Sequence, residues 1–170
     1  MNVVLYPLER VELDGTSISL GMSQMEVEQL IGPGHDCNGR RHYYFNTEMA
    51  VDYGVNGKVE FIEFLGGVEG KLKPVVCGVS AFDVDAEAVL EILRLENSGK
   101  EEDKERGHCC TFRGISVGVY RELTPADVLE MEEEMRREGI PTEGNADLER
   151  DRRNAAHWST IGLGVAGYYA

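Results

Sequence analysis

Short segments in which apolar and polar residues alternate make up much of the chain, and this two-residue period is typical of β-strands. Near the start, Val3–Tyr6 is an apolar run that Pro7 ends, and Arg10–Leu13 alternates, so we expect two short strands or one bent strand. The same pattern predicts five more strands: Arg41–Asn46, Glu48–Tyr53, Lys58–Leu65, His108–Phe112 and Ile115–Tyr120. Because Lys58–Leu65 carries apolar residues on both faces, we expect it to be central in a sheet.

The closing segment, Trp158–Tyr169, also predicts a strand. Its apolar residues alternate with glycines: Ile161, Gly162, Leu163, Gly164 and Val165. The segment Ile115–Val119 has the same alternation, with Gly118 between two valines. We infer that the two segments pair in the sheet, which leaves a glycine-lined face that another group can approach closely.

The clearest helix signal begins at Ser23. Ser23 and Glu26 have the spacing of a capping box, in which each side chain accepts a hydrogen bond from the other residue's backbone. Gly32 and Pro33 then predict the end of the helix, since glycine suits a left-handed C-terminal cap and proline cannot continue the helix. Three apolar residues are expected on its buried face: Val27, Leu30 and Ile31.

Two further helices are predicted from caps and from apolar residues three or four positions apart. The first is capped by Asp83 or Asp85 and reaches about Leu95, and the second begins at the capping residue Thr124 and ends at Glu138. The expected core stripes are Val84, Ala88, Val89, Ile92 and Leu95 in the first, and Val128, Met131 and Met135 in the second. Both helices should therefore pack against the sheet.

Together these elements predict an α+β fold, with an antiparallel β-sheet and two to three helices packed mainly on one face. We expect a single domain over residues 1–170, built from two related units in which a helix precedes strands. The predicted parts are a first unit at about 16–66, a second unit at about 76–121, and a C-terminal helix and strand at 124–170. Residues 97–107 contain no apolar side chain and predict a mobile, solvated loop, whereas 145–154 fit either a solvated helix or a linker.

Composition narrows the classes of partner. The chain has 31 acidic and 17 basic residues, a net charge of −14, which disfavours nucleic acid and anionic lipid. These acids either keep the surface soluble or attract a basic partner protein. The first fifteen residues lack the pattern of a secretory signal, and no apolar run approaches the length of a membrane span, so we expect a cytoplasmic protein.

Candidate chemistry is sparse. The pairs His35/Cys37 and His108/Cys109 bring metal-ligand types close together, but no Cys-x-x-Cys pair accompanies them. Neighbouring Cys109 and Cys110 point to opposite faces of a strand, which makes them a poor chelate. No nucleophile elbow, phosphate loop or dinucleotide fingerprint is present. We therefore predict no catalytic residue, metal or cofactor, and we leave open a chemical role for His108, Cys109 and Cys110.

Binding is the better-supported interpretation, because aromatic and acidic residues cluster on the predicted strands. Tyrosine buries a large area at an interface while losing little side-chain freedom. The candidate binding residues are Tyr43, Phe45, Tyr53, Glu60, Glu63, Tyr168 and Tyr169. The alternative is that the aromatic members cover the core.

Part of the chain resembles known families. Leu20–Pro33, followed by Tyr43-Tyr44-Phe45 and a strand hairpin, resembles the repeating unit of SmpA/OmlA outer-membrane lipoproteins and of β-lactamase inhibitor proteins. This resemblance implies a helix packed on an antiparallel sheet. Because the sequence lacks the signal and the lipid-bearing cysteine of the lipoproteins, we do not expect their membrane role.

A second resemblance extends further along the chain. The segments Leu20–Ser23, Val51–Tyr53, Lys58–Phe64 and Ile161–Tyr169 are similar to a set of small bacterial cytosolic proteins. Some of these resemble immunity proteins of polymorphic toxin systems, which implies inhibition of a partner protein.

These observations give three hypotheses of different classes. The first is non-catalytic protein binding, as an immunity-like inhibitor of a basic partner that the acidic surface attracts. The second is a small-molecule or peptide-binding module with a pocket between the sheet and the 97–107 loop. The third is an enzyme that uses Cys109 or His108. Exposed edge strands are also compatible with a homodimer.

Overall fold

A computed structural model describes residues 1–170, apart from the side chain of residue 36. The secondary-structure elements occur in the following order along the chain: β1 (Asn2–Tyr6), β2 (Arg10–Leu13), β3 (Thr16–Ser19), α1 (Gln24–Ile31), β4 (His35–Asn38), β5 (Arg41–Tyr44), β6 (Met49–Tyr53), β7 (Val59–Phe64), β8 (Lys73–Val76), β9 (Val79–Ser80), α2 (Ala86–Glu96), β10 (Glu102–Asp103), β11 (Cys109–Phe112), β12 (Val117–Tyr120), α3 (Pro125–Arg137), α4 (Ala146–Ala155) and β13 (Thr160–Gly164). The α+β class is confirmed, and no helix in the described part of the chain has both the length and the apolar character needed to cross a membrane.

The larger sheet has eight strands in the order β10-β11-β12-β13-β7-β6-β5-β4, and its pairs are antiparallel. Two runs of neighbouring strands, β4 to β7 and β10 to β13, lie side by side and join through the central pair of β7 and β13. The predicted pairing of the two glycine-bearing segments is confirmed, since Gly118 lies opposite Gly162. The central position of β7 is also confirmed, because it pairs with β6 and β13.

A second sheet was not predicted. It has five strands in the order β3-β2-β1-β8-β9, and β1 and β8 run parallel. The sequence predicts no strand at β8, because Gly70 and Pro74 lie beside and within the short apolar run that forms it. This run becomes a strand by pairing with β1, which lies about seventy residues earlier, so no local pattern reveals it.

The main core lies between the two sheets and the helices α1 and α2, and Val3, Ile62, Val89 and Trp158 are all fully buried in it. Asp85 caps α2, whose buried face is Ala86, Val89, Leu90 and Leu93. The predicted stripe is therefore partly wrong: Val89 is buried and Val84 packs partly against the core just before the helix, but Ala88 is exposed and Leu95 is 67% exposed.

The predicted caps are confirmed at both capping boxes. Ser23 and Glu26 exchange hydrogen bonds at the start of α1, and Thr124 and Asp127 do so at the start of α3. The predicted buried face of α1 was only partly right, because Val27 is buried whereas Leu30 is 48% exposed.

The segment predicted as a helix or a linker is the helix α4. It packs against α3 through a small separate cluster formed by Val128, Leu148 and Ala155. The predicted loop at 97–107 contains the two-residue strand β10, which pairs with β11 at the edge of the larger sheet. This pairing gives part of the loop a fixed position beside the strands.

Candidate functional site

The candidate site lies on the face of the larger sheet that points away from the core. The cross-strand register places Tyr43, Ala50, Glu63, Gly162 and Gly118 in one row. The next row contains Arg41, Asp52, Phe61 and Gly164. Facing residues in antiparallel strands share a side of the sheet, so both rows point outward together. We call this surface the outer face.

An arginine holds the charged part of the outer face together. Arg41 Nη1 lies 3.0 Å from both carboxylate oxygens of Asp52, Arg41 Nη2 donates to Glu63, and Arg41 Nε donates to Tyr43 Oη at 3.1 Å. The three charged side chains are only 21–25% exposed. Burial alone would lower the pKa of Arg41, but its hydrogen bond to Glu63 and the charges of Glu63 and Asp52 raise the pKa above its ordinary value. The guanidinium is therefore fixed in place, and the three groups together carry one negative charge.

An aromatic cluster covers the glycines of the outer face. The rings of Phe61 and Tyr168 are stacked with centroids 4.4 Å apart, and Tyr169 meets both edge-on. A Cβ atom at Gly118 would lie 2.4 Å from Tyr169 Oη, and one at Gly162 would lie 2.2 Å from the Phe61 ring. The glycine-lined face is thus approached closely, as predicted, but by aromatic side chains of the same chain.

Tyr168 connects the aromatic cluster to the charged one. Its hydroxyl donates to Asp52 Oδ2 at 3.4 Å, and the residue remains 39% exposed. Burial, followed by the charge of Asp52, raises the pKa of Tyr168 to about 12. Burial and the charge of Glu63 also raise the pKa of Tyr169. Both phenols are therefore neutral hydrogen-bonding groups at physiological pH.

The structure brings four of the seven predicted binding residues together on the outer face: Tyr43, Glu63, Tyr168 and Tyr169. Tyr53 does not lie there, because it is 4% exposed on the core side and its hydroxyl is bonded to Tyr44 Oη at 2.8 Å. Phe45 sits in the turn after β5 and packs partly against the core. Glu60 lies at a β-bulge, where the register shifts, and its carboxylate lies over Gly54.

Arg41, Asp52 and Phe61 were missed from the sequence. The signal for Arg41 was present, since Arg41 and Tyr43 are two positions apart on one strand and must share a face. The same period places Met49, Val51 and Tyr53 on the core side, opposite Asp52, and so could have corrected the expectation for Tyr53. The link between Arg41 and Glu63 depends on the register of three strands, which the sequence does not give directly.

A pocket of about 570 Å³ lies between the end of α2, the start of the 97–107 loop and the β11–β12 hairpin. It is lined by Glu96, Asn97, Ser98, Lys100, Glu101, Glu102, Thr111, Arg113, Gly114 and Ile115. Asn97 is 7% exposed, and its side chain donates to Lys100 O and accepts from Ile115 N. This residue joins the loop to the hairpin and so defines the pocket.

The residues left open for enzyme chemistry occupy a different region. His108 Nδ1 lies 3.2 Å from Arg121 O, and His108 Nε2 lies 3.2 Å from Asp127 Oδ2, so both ring nitrogens have partners. Burial raises the pKa of Cys109 and raises that of Cys110 to about 12, which keeps both thiols protonated at neutral pH. Among the side chains that the structure describes, no cluster of three or more histidine, cysteine or acidic residues could hold a metal ion.

Comparison of the chain with protein-family models, curated proteins and solved structures finds no match. The candidate site is therefore argued from its own geometry.

Proposed function

We propose that this chain is a non-catalytic protein-binding domain that contacts its partner through the outer face. The supporting observation is that Tyr168, stacked on Phe61 and bonded to Asp52, forms an exposed aromatic surface beside the fixed guanidinium of Arg41. Tyrosine and arginine are the residue types that most often carry binding energy at protein interfaces. The outer face thus has the composition of an interface centre.

The arrangement is also ordered before any partner arrives. Ordering a side chain with many rotamers on binding costs about 0.5–1.5 kcal/mol. In the free protein, Arg41 already makes contacts to Tyr43, Asp52 and Glu63, and Tyr168 is already stacked. A partner that docks here therefore loses little affinity to the ordering of these groups.

Charge favours a basic partner, and this role is the one expected of an immunity-like inhibitor in the cytoplasm. The protein carries a net charge of −14, of which one unit lies in the charged cluster of the outer face. Such a surface speeds association with a cationic protein more than it strengthens the final complex, and salt screens the effect. A basic enzyme or toxin fits this description.

The test is affinity capture from the host lysate with the wild-type protein and a Tyr43→Ala/Tyr168→Ala variant, eluted with a salt gradient. We expect a basic protein that the wild type retains and the variant loses. Leu129→Ala is the control, because Leu129 is 60% exposed on α3 and is not among the residues of the outer face. A partner retained equally by all three proteins would contradict the outer face as the contact surface, and no specific partner would contradict the proposed function.

A second candidate function is a small-molecule or peptide-binding module. The observation in its favour is the pocket beside residues 96–102, whose volume of about 570 Å³ falls within the usual range of ligand sites. Its test is a thermal shift assay against a metabolite and peptide set, since a ligand that binds only the folded state raises the unfolding midpoint. No shift with any compound would contradict this candidate and leave the outer face unaffected.

A further inference from the structure

Two asparagines in this chain are followed directly by glycine, and both pairs lie in exposed turns. Asn38 and Gly39 lead from β4 to β5, and Asn56 and Gly57 lie between β6 and β7. The backbone nitrogen of the residue after an asparagine can attack the side-chain amide carbon of that asparagine. A glycine at that position hinders the approach least, because it has no side chain. The two turns are therefore the candidate sites of deamidation.

Hydrogen bonds distinguish the two turns. Gly57 N donates to Gly54 O at 2.9 Å, and Asn56 Oδ1 accepts from Lys58 N at 3.0 Å. In the other turn, neither the Asn38 side chain nor the Gly39 N–H group makes a hydrogen bond to any group that the structure describes. The nitrogen of Gly57 must leave its acceptor before it can react, whereas the nitrogen of Gly39 has no such bond to break.

The position of Asn38 in the sheet also permits the reaction. Asn38 is the last residue of β4, which is an edge strand, and the pairing of β4 with β5 is irregular between His35 and Asn38. Ring closure rotates the backbone at Asn38, and it therefore disturbs only the pair of Asn38 and Arg41 at the end of the ladder. The rest of the sheet keeps its register.

We propose that Asn38 is a site of spontaneous deamidation in the folded protein. The nitrogen of Gly39 loses its proton to solvent and bonds to Asn38 Cγ, and the bond from Cγ to the side-chain nitrogen breaks and releases ammonia. Water then opens the cyclic imide at one of its two carbonyl groups, which gives aspartate or isoaspartate. The overall reaction consumes one water and releases one ammonia, and nothing is oxidised or reduced.

The modification adds a charge to the outer face. Asn38 lies opposite Arg41, so it extends the row that contains Arg41 and Asp52 to the edge of the sheet. The guanidinium of Arg41 already contacts Tyr43, Asp52 and Glu63 through its three nitrogens. A carboxylate at position 38 therefore remains unneutralised and changes the local charge from −1 to −2. Any effect on a basic partner rests on the proposed function, whereas the reaction itself does not.

The test is incubation of the folded full chain at mildly alkaline pH beside a sample unfolded in urea, with the amide-to-acid mass increase of each asparagine followed by peptide mass spectrometry. In the folded protein we expect Asn38 to convert about fivefold faster than Asn56, because opening the hydrogen bond of Gly57 costs about 1 kcal/mol. In urea, where that bond is absent, the two rates should be similar. Asn38→Gln is the control, because glutamine would have to close a larger ring, and its peptide should gain no acid while Asn56 reacts as before.

The position of the new charge is tested with Asn38→Asp, and Asn56→Asp is the matched control outside the row. The NMR signal of Arg41 Nε–H should shift in the first variant and change less in the second. An unshifted signal in Asn38→Asp would overturn the placement of the charge on the outer face.

Two rate measurements would overturn the reaction at Asn38. Folded-state conversion of Asn38 no faster than that of Asn56 would mean that the edge strand protects it as well as the hydrogen bonds protect Asn56. A similar result with conversion at neither site would exclude both turns. Failure of the affinity capture would contradict the proposed function and leave these rates unchanged, so the two outcomes are distinguishable.

Discussion

The outer face and the Asn97 pocket differ in whether their polar side chains have partners. On the outer face, Arg41, Asp52 and Glu63 satisfy one another, and Tyr168 adds a hydrogen bond. In the pocket, Thr111, Glu96 and Lys100 have no such partner among the described side chains. Because the polar groups of the outer face are already paired with one another, this surface offers mainly its shape and aromatic area, which suits a large partner. In the pocket, the enclosed Thr111 hydroxyl is a local cost to stability, whereas Glu96 and Lys100 are exposed to solvent.

The difference also predicts how each region responds to substitution. Where groups satisfy one another, removing one leaves its partners unpaired, so stability should fall. Where a buried polar group is already unpaired, removing it should raise stability. The two regions should therefore give effects of opposite sign.

The largest expected effect is at the centre of the outer face. Gly162→Ala places a Cβ atom 2.2 Å from the Phe61 ring, which is itself buried and stacked on Tyr168. Because the ring cannot move without breaking that stack, we expect a loss of about 2–3 kcal/mol in the free energy of unfolding. Denaturant unfolding followed by circular dichroism measures this change in the free energy of unfolding.

A double-mutant cycle controls for the intrinsic effect of replacing glycine. In a Phe61→Ala background the ring is absent, and alanine favours a strand over glycine by about 0.5–1 kcal/mol. Gly162→Ala should then be neutral or stabilising. An equal loss of stability in both backgrounds would show that the aromatic cover does not impose the glycine.

The second prediction concerns the charged cluster. Arg41→Met removes the cation and leaves Asp52 and Glu63 half-buried without it, which should cost about 2 kcal/mol. Neutralising both acids in the same protein, with Asp52→Asn and Glu63→Gln, should recover most of that loss. A stable Arg41→Met variant would mean that the acids are solvated well enough to need no partner.

Local signals predicted part of this structure well. The capping boxes at Ser23 and Thr124 were predictable because the atoms that form each one lie within four residues. The pairing of β12 with β13 was predictable because the glycine alternation is visible within each strand. The parallel pair of β1 and β8 was not, because neither strand carries information about the other.

The contacts within the two sites also depend on long-range pairing that the local sequence does not reveal. Tyr43 and Glu63 were predicted as binding residues, but the arginine that joins them depends on the register of β5, β6 and β7. Thr111 was not singled out, because an unpaired hydroxyl emerges only when the hydrogen bonds of the whole neighbourhood are counted. The sequence therefore predicted residue types and faces, whereas the partners of each group required the fold.

Alkaline pH provides the third prediction. The pKa of Tyr168 is raised from 10.0 to about 12, so the folded protein keeps this phenol neutral where the unfolded chain would ionise it. Its contribution to stability is complete below about pH 10 and is lost as the pH rises through about 12. Because Tyr168 is 39% exposed, solvent screening limits this contribution to about 1 kcal/mol.

The measurement compares unfolding of the wild type with that of Tyr168→Phe, which keeps the stacked ring and lacks the ionisable group. Other alkaline titrations are shared by both proteins, and the raised pKa of Tyr169 is the one that also depends on Tyr168. The wild type should lose more stability than the variant between about pH 9 and about pH 12. Parallel losses would show that Tyr168 titrates alike in the folded and unfolded states.

The smallest expected effect, and the only one of opposite sign, is Thr111→Val in the absence of ligand. The substitution removes a buried hydroxyl that has no partner and keeps nearly the same shape, so we expect a gain of about 0.5–1 kcal/mol in the free energy of unfolding. Thr124→Val is the matched control, because the Thr124 hydroxyl caps α3 and its loss should cost about 1 kcal/mol. If Thr111→Val were instead destabilising, its hydroxyl would have to be bonded in solution, and the contrast between the pocket and the outer face would fail at that residue.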